Sequence, residues 1–122
     1  MNKLIFIICF LHIAAISGIS QKVQNSNFEK RLSSLLDHSV QEITVQDLAN
    51  ATTTYILLDA RELEEYNASH IPQAKHIGYE KINWELISQI APDESIVVYC
   101  SVGYRSEKVA KKLEERLSLI HI

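Results

Sequence analysis

The sequence predicts an α/β layer fold built on a mostly parallel central sheet. Three observations carry this. Tyr55-Ile56-Leu57-Leu58-Asp59 and Ile96-Val97-Val98-Tyr99 are short apolar runs without alternation, the pattern of strands buried on both faces. Between and after them stand segments with apolar residues at helical spacing. Strands alternating with helices pack as layers, helices against a parallel sheet. The chain has 122 residues, 47% of them hydrophobic and 22% charged, which is enough for one core and no more.

The first residues are set apart from that core. Lys3 gives a basic start, and Leu4 to Ile16 is almost unbroken apolar sequence. This is the pattern of a secretory signal over residues 1–20, with small residues Gly18 and Ser20 before Gln21. The run falls short of the roughly 20 residues that a membrane-crossing helix needs, so no stable membrane insertion is expected after cleavage. The expected location is exported, either periplasmic or secreted. Removal of the leader takes Cys9 with it and leaves Cys100 as the lone thiol in a compartment that favours disulfides.

Residues 21–40 read as a lead and a first helix. Gln21 to Asn27 is polar, and Phe28, Leu32, Leu35, Leu36 and Val40 follow at helical spacing. The domain proper is read over 41–122. A short strand is expected near Gln41 to Ile43, and Thr44 with Asp47 three residues on resembles an N-cap opening a helix through Leu48. The first buried strand, Tyr55 to Asp59, precedes a charged stretch from Arg61 to Tyr66 of one or two helical turns. Ile71-Pro72 forces extended chain, because proline restricts the residue before it. His76-Ile77 reads as a brief strand. Ile82, Trp84, Leu86, Ile87 and Ile90 form another helical stripe, which Ala91-Pro92-Asp93 stops. Trp84 is read as core. After the second buried strand come a loop from Cys100 to Arg105 and a helix from Ser106 to Leu117, with Val109, Ala110, Leu113 and Leu117 inward. Leu119 to Ile122 is expected to be a last strand fragment.

Charge narrows the function. The formal net charge of −3 becomes more negative without Lys3, and no run of Lys or Arg is long enough to track a nucleic-acid backbone. Lys108, Lys111 and Lys112 alternate with Glu107, Glu114 and Glu115, the pattern of a solvated helix face. His70 and His76 have no third ligand at metal spacing, so neither a metal nor a cofactor is expected, and His70 reads as a structural hydrogen-bonding residue.

The chemistry is expected at the rim of the sheet, because ligands of open parallel sheets sit beyond the strand C-terminal ends, where Asp59 and Cys100 both lie. A cysteine acts as its thiolate, which a helix N-terminus and a nearby cation favour. The helix near Ser106 turns unpaired N–H groups back toward Cys100, and Arg105 adds a charge. Gly103 lets the loop curl so that consecutive N–H groups converge on the sulfur. Such a cradle suits the outer sulfur of a persulfide, and equally a phosphate. The competing reading is a small buried hydrophobe at a strand end. Asp59 and Arg61 either orient the loop or simply pair with each other and cap the next helix.

Three segments in order, Leu57-Leu58-Asp59-Ala60-Arg61-Glu62 through Glu65-Tyr66, Ser69-His70-Ile71-Pro72-Gln73-Ala74, and Val97 to Ser106, resemble a single-domain rhodanese. The resemblance implies a rhodanese-like three-layer fold and a sulfurtransferase. Cys100 is then nucleophile and carrier, with Arg105 as the catalytic cation and Ser101, Val102, Gly103, Tyr104 and Ser106 as the substrate-binding loop. Asp59 and Arg61 support them. The implied partners are a small-molecule sulfur donor such as thiosulfate and an acceptor such as cyanide or a thiol. Related phosphatases place five residues between cysteine and arginine, usually after a histidine, whereas four intervene here and Tyr99 precedes Cys100. The shorter loop suits one sulfur atom better than a tetrahedral phosphate. Two other readings stay open: a non-catalytic sulfur-binding or interaction module, and the phosphatase. The loop carries one basic residue where thiosulfate-preferring relatives often carry more. Gln73 stands where glycine is usual, and the chain is expected to lack the family's final helix after Ile122.

Overall fold

The computed structural model describes residues 25–120, with side chains through Arg116. The expected signal over 1–20, residues 21–24 of the lead, and the end of the strand fragment at Leu119 to Ile122 lie outside the described residues.

Among the described residues, five helices and three strands follow one another. They are α1 (Ser26–Leu35), α2 (Val45–Asn50), β1 (Tyr55–Asp59), α3 (Leu63–Ala68), β2 (Lys75–His76), α4 (Trp84–Ser88), β3 (Ser95–Tyr99) and α5 (Tyr104–Ile120). The strands form one sheet in the order β2-β1-β3, and both pairings are parallel. The chain therefore passes from β1 to one side for β2, then crosses to the other side for β3. That reversal opens a crevice beyond the C-terminal ends of β1 and β3. The register pairs Tyr55 with Ser95 through to Asp59 with Tyr99.

The core gathers where the sheet meets α4 and α5. Leu58, Ala60, Ile77, Ile87, Val109 and Leu113 are buried together, with Ile56, Ile96, Val98 and Trp84 packed against them. Trp84 is thus a core residue whose ring is roofed by the guanidinium of Arg116 at 4.3 Å. β3 was expected to be buried on both faces. It lies at the sheet edge, and all five of its residues are only half-buried.

Polar side chains fix the helix starts. Asn25 accepts from the N–H groups of Asn27 and Phe28, Thr44 from that of Asp47, and Asn83 from that of Leu86. Helix α1 stops earlier than its apolar stripe suggested. Leu36 turns extended and His38 takes a left-handed φ of 52°. Phe28 and Leu35 are consequently exposed.

No strand forms at Gln41 to Ile43, because no neighbouring strand offers that segment a ladder among the described residues. Side chains hold it instead. Glu107 accepts from the backbone N–H groups of Asp37 at 3.1 Å and His38 at 2.9 Å, and His38 pairs with Glu42. Glu107 is therefore buried, contrary to the solvated face expected of it. The fragment expected from Leu119 is also corrected, since α5 runs on to Ile120. No helix among the described residues is long and apolar enough to cross a membrane.

Gln73 adopts a left-handed φ of 68° in the turn closed by the bond from Ala74 N–H to the Ile71 carbonyl. A residue with a Cβ pays conformational energy there that glycine does not. Replacing Gln73 by glycine is expected to stabilise the domain by roughly 0.5–1 kcal/mol, read as a higher urea midpoint at unchanged slope. An unchanged or lower midpoint would show that the turn is unstrained.

Candidate functional site

The crevice at the strand ends holds the candidate groups because the ladder fixes where each strand stops. Asp59 faces Tyr99 in register, and the N–H of Ala60 bonds the Tyr99 carbonyl at 2.9 Å. Cys100 is the first residue past that last rung. Beyond it, α5 begins at Tyr104, two residues earlier than the charge and apolar pattern indicated. Arg105 and Ser106 thus sit in the first turn of the helix, where N–H groups lack helical partners.

Those groups converge on the sulfur. Gly103 N–H donates to Cys100 Sγ at 3.2 Å and Ser106 N–H at 3.4 Å, while the Ser106 hydroxyl oxygen lies at 3.5 Å. Gly103 has a φ of 94°, the left-handed conformation that turns its N–H inward. The Ser106 hydroxyl donates to the Gly103 carbonyl at 3.0 Å and braces the curl while Cys100 is a thiol, and its single hydrogen turns to the sulfur once the thiolate forms. Half-burial of Cys100 by itself pushes the thiol up. Hydrogen bonds from the Ser106 side chain and from the backbone N–H groups of Ser106, Val102 and Gly103 outweigh it and hold the thiol below its ordinary range. Removing the hydroxyl with Ser106→Ala is expected to move the midpoint of Cys100 alkylation by iodoacetamide to higher pH. An unmoved midpoint would mean that the backbone donors alone set the thiolate.

Arg105 does not stand free beside the sulfur. Its guanidinium donates to both oxygens of Glu65, at 2.6 and 3.0 Å, and to Ser101 Oγ at 3.0 Å. Glu65 also accepts from the N–H of Glu62 at 3.0 Å. The Arg105 guanidinium first, and that N–H second, hold the Glu65 carboxyl down to about 2. The loop is thus clamped to α3, and its single cation is matched by a carboxylate. Glu65 lay within the resemblance yet carried no site role, because its partner is distant in sequence.

Asp59 and Arg61 do pair, and Arg61 also reaches the site. Asp59 is fully buried and receives Arg61 Nη2 at 2.7 Å, Nε at 3.0 Å and the backbone N–H at 2.9 Å. Nη2 also bonds the Ser69 carbonyl at 2.7 Å. The Tyr99 hydroxyl bonds Asp59 and accepts from Ile71 N–H at 3.2 Å. This network draws the segment of Ser69 to Ile71 across from the loop. Beside it lies an open cleft of about 370 Å³, lined by Arg61, Ser69, His70 and Ile71 together with Tyr99, Cys100 and Ser101.

The remaining loop residues surround rather than line the cleft. Val102 is exposed, and Tyr104 is half-buried with Lys108 Nζ 5.6 Å from its ring centre. His70 and Ile71, absent from the expected site, are part of its wall. Among the described residues, His38, Glu42 and Glu107 bring ligand-type atoms within 4.8 Å of one another. They are occupied in tying down residues 37–42, apart from the cleft.

Comparison with known proteins agrees with this geometry. One stretch of 87 residues is 34% identical to a protein of Porphyra purpurea named as a molybdopterin-synthase adenylyltransferase. That stretch covers 64% of this chain and 23% of the relative. A Bacillus subtilis (strain 168) protein named as a sulfur carrier, YrkF, is 32% identical over 60 residues, which are 49% of this chain and 32% of the relative. The chain thus spans less than a third of the length of either relative. The profile of the Rhodanese-like domain matches residues 44–121, from the cap of α2 to the end of α5, and takes in the strands, the clamp and the cysteine loop. With that match covering more than half of its length, the chain belongs to the rhodanese-like domain family.

Proposed function

We propose that the protein is a sulfurtransferase that carries sulfane sulfur as a persulfide on Cys100. The observation that carries this reading is the set of backbone N–H groups from Gly103 and Ser106 on the sulfur. They favour the thiolate, and they are placed to bind the charge of an added outer sulfur. With thiosulfate as donor, the Cys100 thiolate attacks the outer sulfur, the S–S bond of thiosulfate breaks, and sulfite leaves with its electron pair. A thiophilic acceptor such as cyanide or a thiol then takes that sulfur and returns the thiolate. The relative named as a sulfur carrier supports sulfur transfer in general, and thiosulfate and cyanide are the donor and acceptor proposed for it here.

One observation favours a second reading, a module that binds sulfur without turnover. Arg105 is matched by Glu65, which lowers the pull of the loop on a dianionic donor. We also propose that residues 1–20 direct export, so that chain recovered outside the cytosol begins near Gln21.

Intact mass after thiosulfate and then after cyanide, with Cys100→Ser alongside, tests the reading. Gain of one sulfur that cyanide removes, and that the serine variant never gains, is the expected result. Loading without discharge would favour the binding module, and hydrolysis of an aryl phosphate would revive the phosphatase.

A further inference from the structure

We propose that His70 is a second catalytic residue, the proton carrier for a thiol acceptor that enters the cleft facing Cys100. The proposal rests on the persulfide reading of Cys100 and goes beyond it by choosing a protonated thiol, rather than an anion such as cyanide, as the acceptor the site is built for.

The geometry fixes which nitrogen is available. His70 Nδ1 lies 2.9 Å from the Tyr66 carbonyl oxygen. A carbonyl only accepts, so Nδ1 carries the hydrogen and the neutral ring keeps its lone pair on Nε2. The ring stacks on Tyr66 with centroids 3.8 Å apart and planes within 11°, which holds its orientation. Nε2 takes no hydrogen-bond partner among the described residues, and His70 lines the same cleft as Cys100.

The other basic groups nearby are engaged. His76 turns Nε2 to the Arg61 carbonyl at 2.8 Å and does not line the cleft. Glu65 is held by Arg105, and Asp59 is buried beneath Arg61. Among the described residues at the cleft, His70 is the side chain with a lone pair free to take a proton.

The step then balances without any further reagent. An acceptor thiol gives its proton to Nε2 and its sulfur attacks the outer sulfur of the Cys100 persulfide. The persulfide S–S bond breaks, its electron pair returns to Cys100 Sγ under the N–H groups of Gly103 and Ser106, and His70 passes the proton to the transferred sulfur. A thiol and an anionic persulfide become a new persulfide and the Cys100 thiolate, with proton and charge conserved. The imidazolium formed on His70 stands beside the two sulfur anions and offsets their repulsion during the attack. Cyanide has no such proton to lose at the pH where it is already an anion.

The test loads wild-type protein, His70→Gln and His70→Phe with inorganic polysulfide, checks for one added sulfur by mass, and times discharge to cyanide and to thiols of graded acidity. Both variants are expected to load, and the ratio of thiol to cyanide discharge is expected to fall by about a hundredfold. The deficit should grow as the thiol becomes less acidic. A ratio unchanged in the variants would overturn the proposal while leaving the persulfide reading intact. So would its recovery in His70→Phe, which keeps the stack on Tyr66 but no nitrogen. Failure of wild-type protein to hold sulfur on Cys100 would remove the persulfide reading, and the role of His70 with it.

Discussion

Asp59→Ala is expected to destabilise the domain by about 3 kcal/mol, read as a fall in the urea midpoint. The carboxylate is fully buried and accepts from the Arg61 guanidinium, the Arg61 N–H and Tyr99. Removing one partner of a buried pair costs about 3–5 kcal/mol, chiefly because the other charge is left without compensation. Arg61 keeps 17% of its side chain in solvent, so it recovers some hydration and the loss belongs at the lower end. Against a total stability of about 5–15 kcal/mol for a domain, that is a large share. Adding Arg61→Met to Asp59→Ala should restore part of the loss, since the stranded charge goes too. A single variant that melts like wild type would show that the pair orients the cleft without holding the fold.

The same carboxylate gives stability a pH dependence. Burial pushes Asp59 up, but hydrogen bonds from the Arg61 side chain and backbone, and then from Tyr99, carry it below its ordinary 3.8. A folded-state value below the unfolded one means stability that is complete above about pH 4 and lost as pH falls through the depressed value. Glu65, held down to about 2 from 4.5, adds a contribution of the same sign lost over that lower window. Acid should therefore loosen both the rim of the cleft and the clamp on the loop.

The parts of the fold that sequence made legible are those set by local pattern. The apolar runs of β1 and β3 were bounded to within a residue, and the Thr44 cap opened α2 as expected. Cys100 was placed at a strand end because an unbroken apolar run stops there. Features that depend on distant partners were not legible. Glu107 alternates with lysines like any solvated helix residue, yet it is buried by the backbone of Asp37 and His38, some 70 residues earlier. Arg105 read as a free cation because Glu65, its partner, is 40 residues away. His70 does make the structural hydrogen bond expected of it, to the Tyr66 carbonyl, but nothing local shows that Asp59, Arg61 and Tyr99 bring its segment to the cleft as well. An isolated strand at Gln41 to Ile43 was a reasonable reading of three residues, but a strand is defined by its neighbour.

Gly103→Ala is expected to slow sulfur loading of Cys100 by about a hundredfold, with the alkylation midpoint of the thiol moving up. Two causes would predict some effect, and the structure separates them. A Cβ at this position would lie 3.7 Å from the nearest Leu36 methyl, which is ordinary van der Waals contact. Crowding is therefore not the obstacle. The φ of 94° is, since it is a conformation that residues with a Cβ adopt only under strain of about 1–3 kcal/mol. Relaxing that strain rotates the peptide whose N–H meets Sγ at 3.2 Å, and it shifts the carbonyl that accepts from the Ser106 hydroxyl and the Glu107 N–H. One rotation thus withdraws a donor from the sulfur and loosens the first turn of α5. Loss of a single preorganised donor to a developing anion costs roughly a hundredfold to a thousandfold in rate. Trimming Leu36 to alanine in the Gly103→Ala background should restore nothing, because the strain lies in the backbone. Recovery of loading in that double variant would instead place the fault in packing between the loop and the segment after α1, and the N–H cradle would lose its claim to set the reactivity of Cys100.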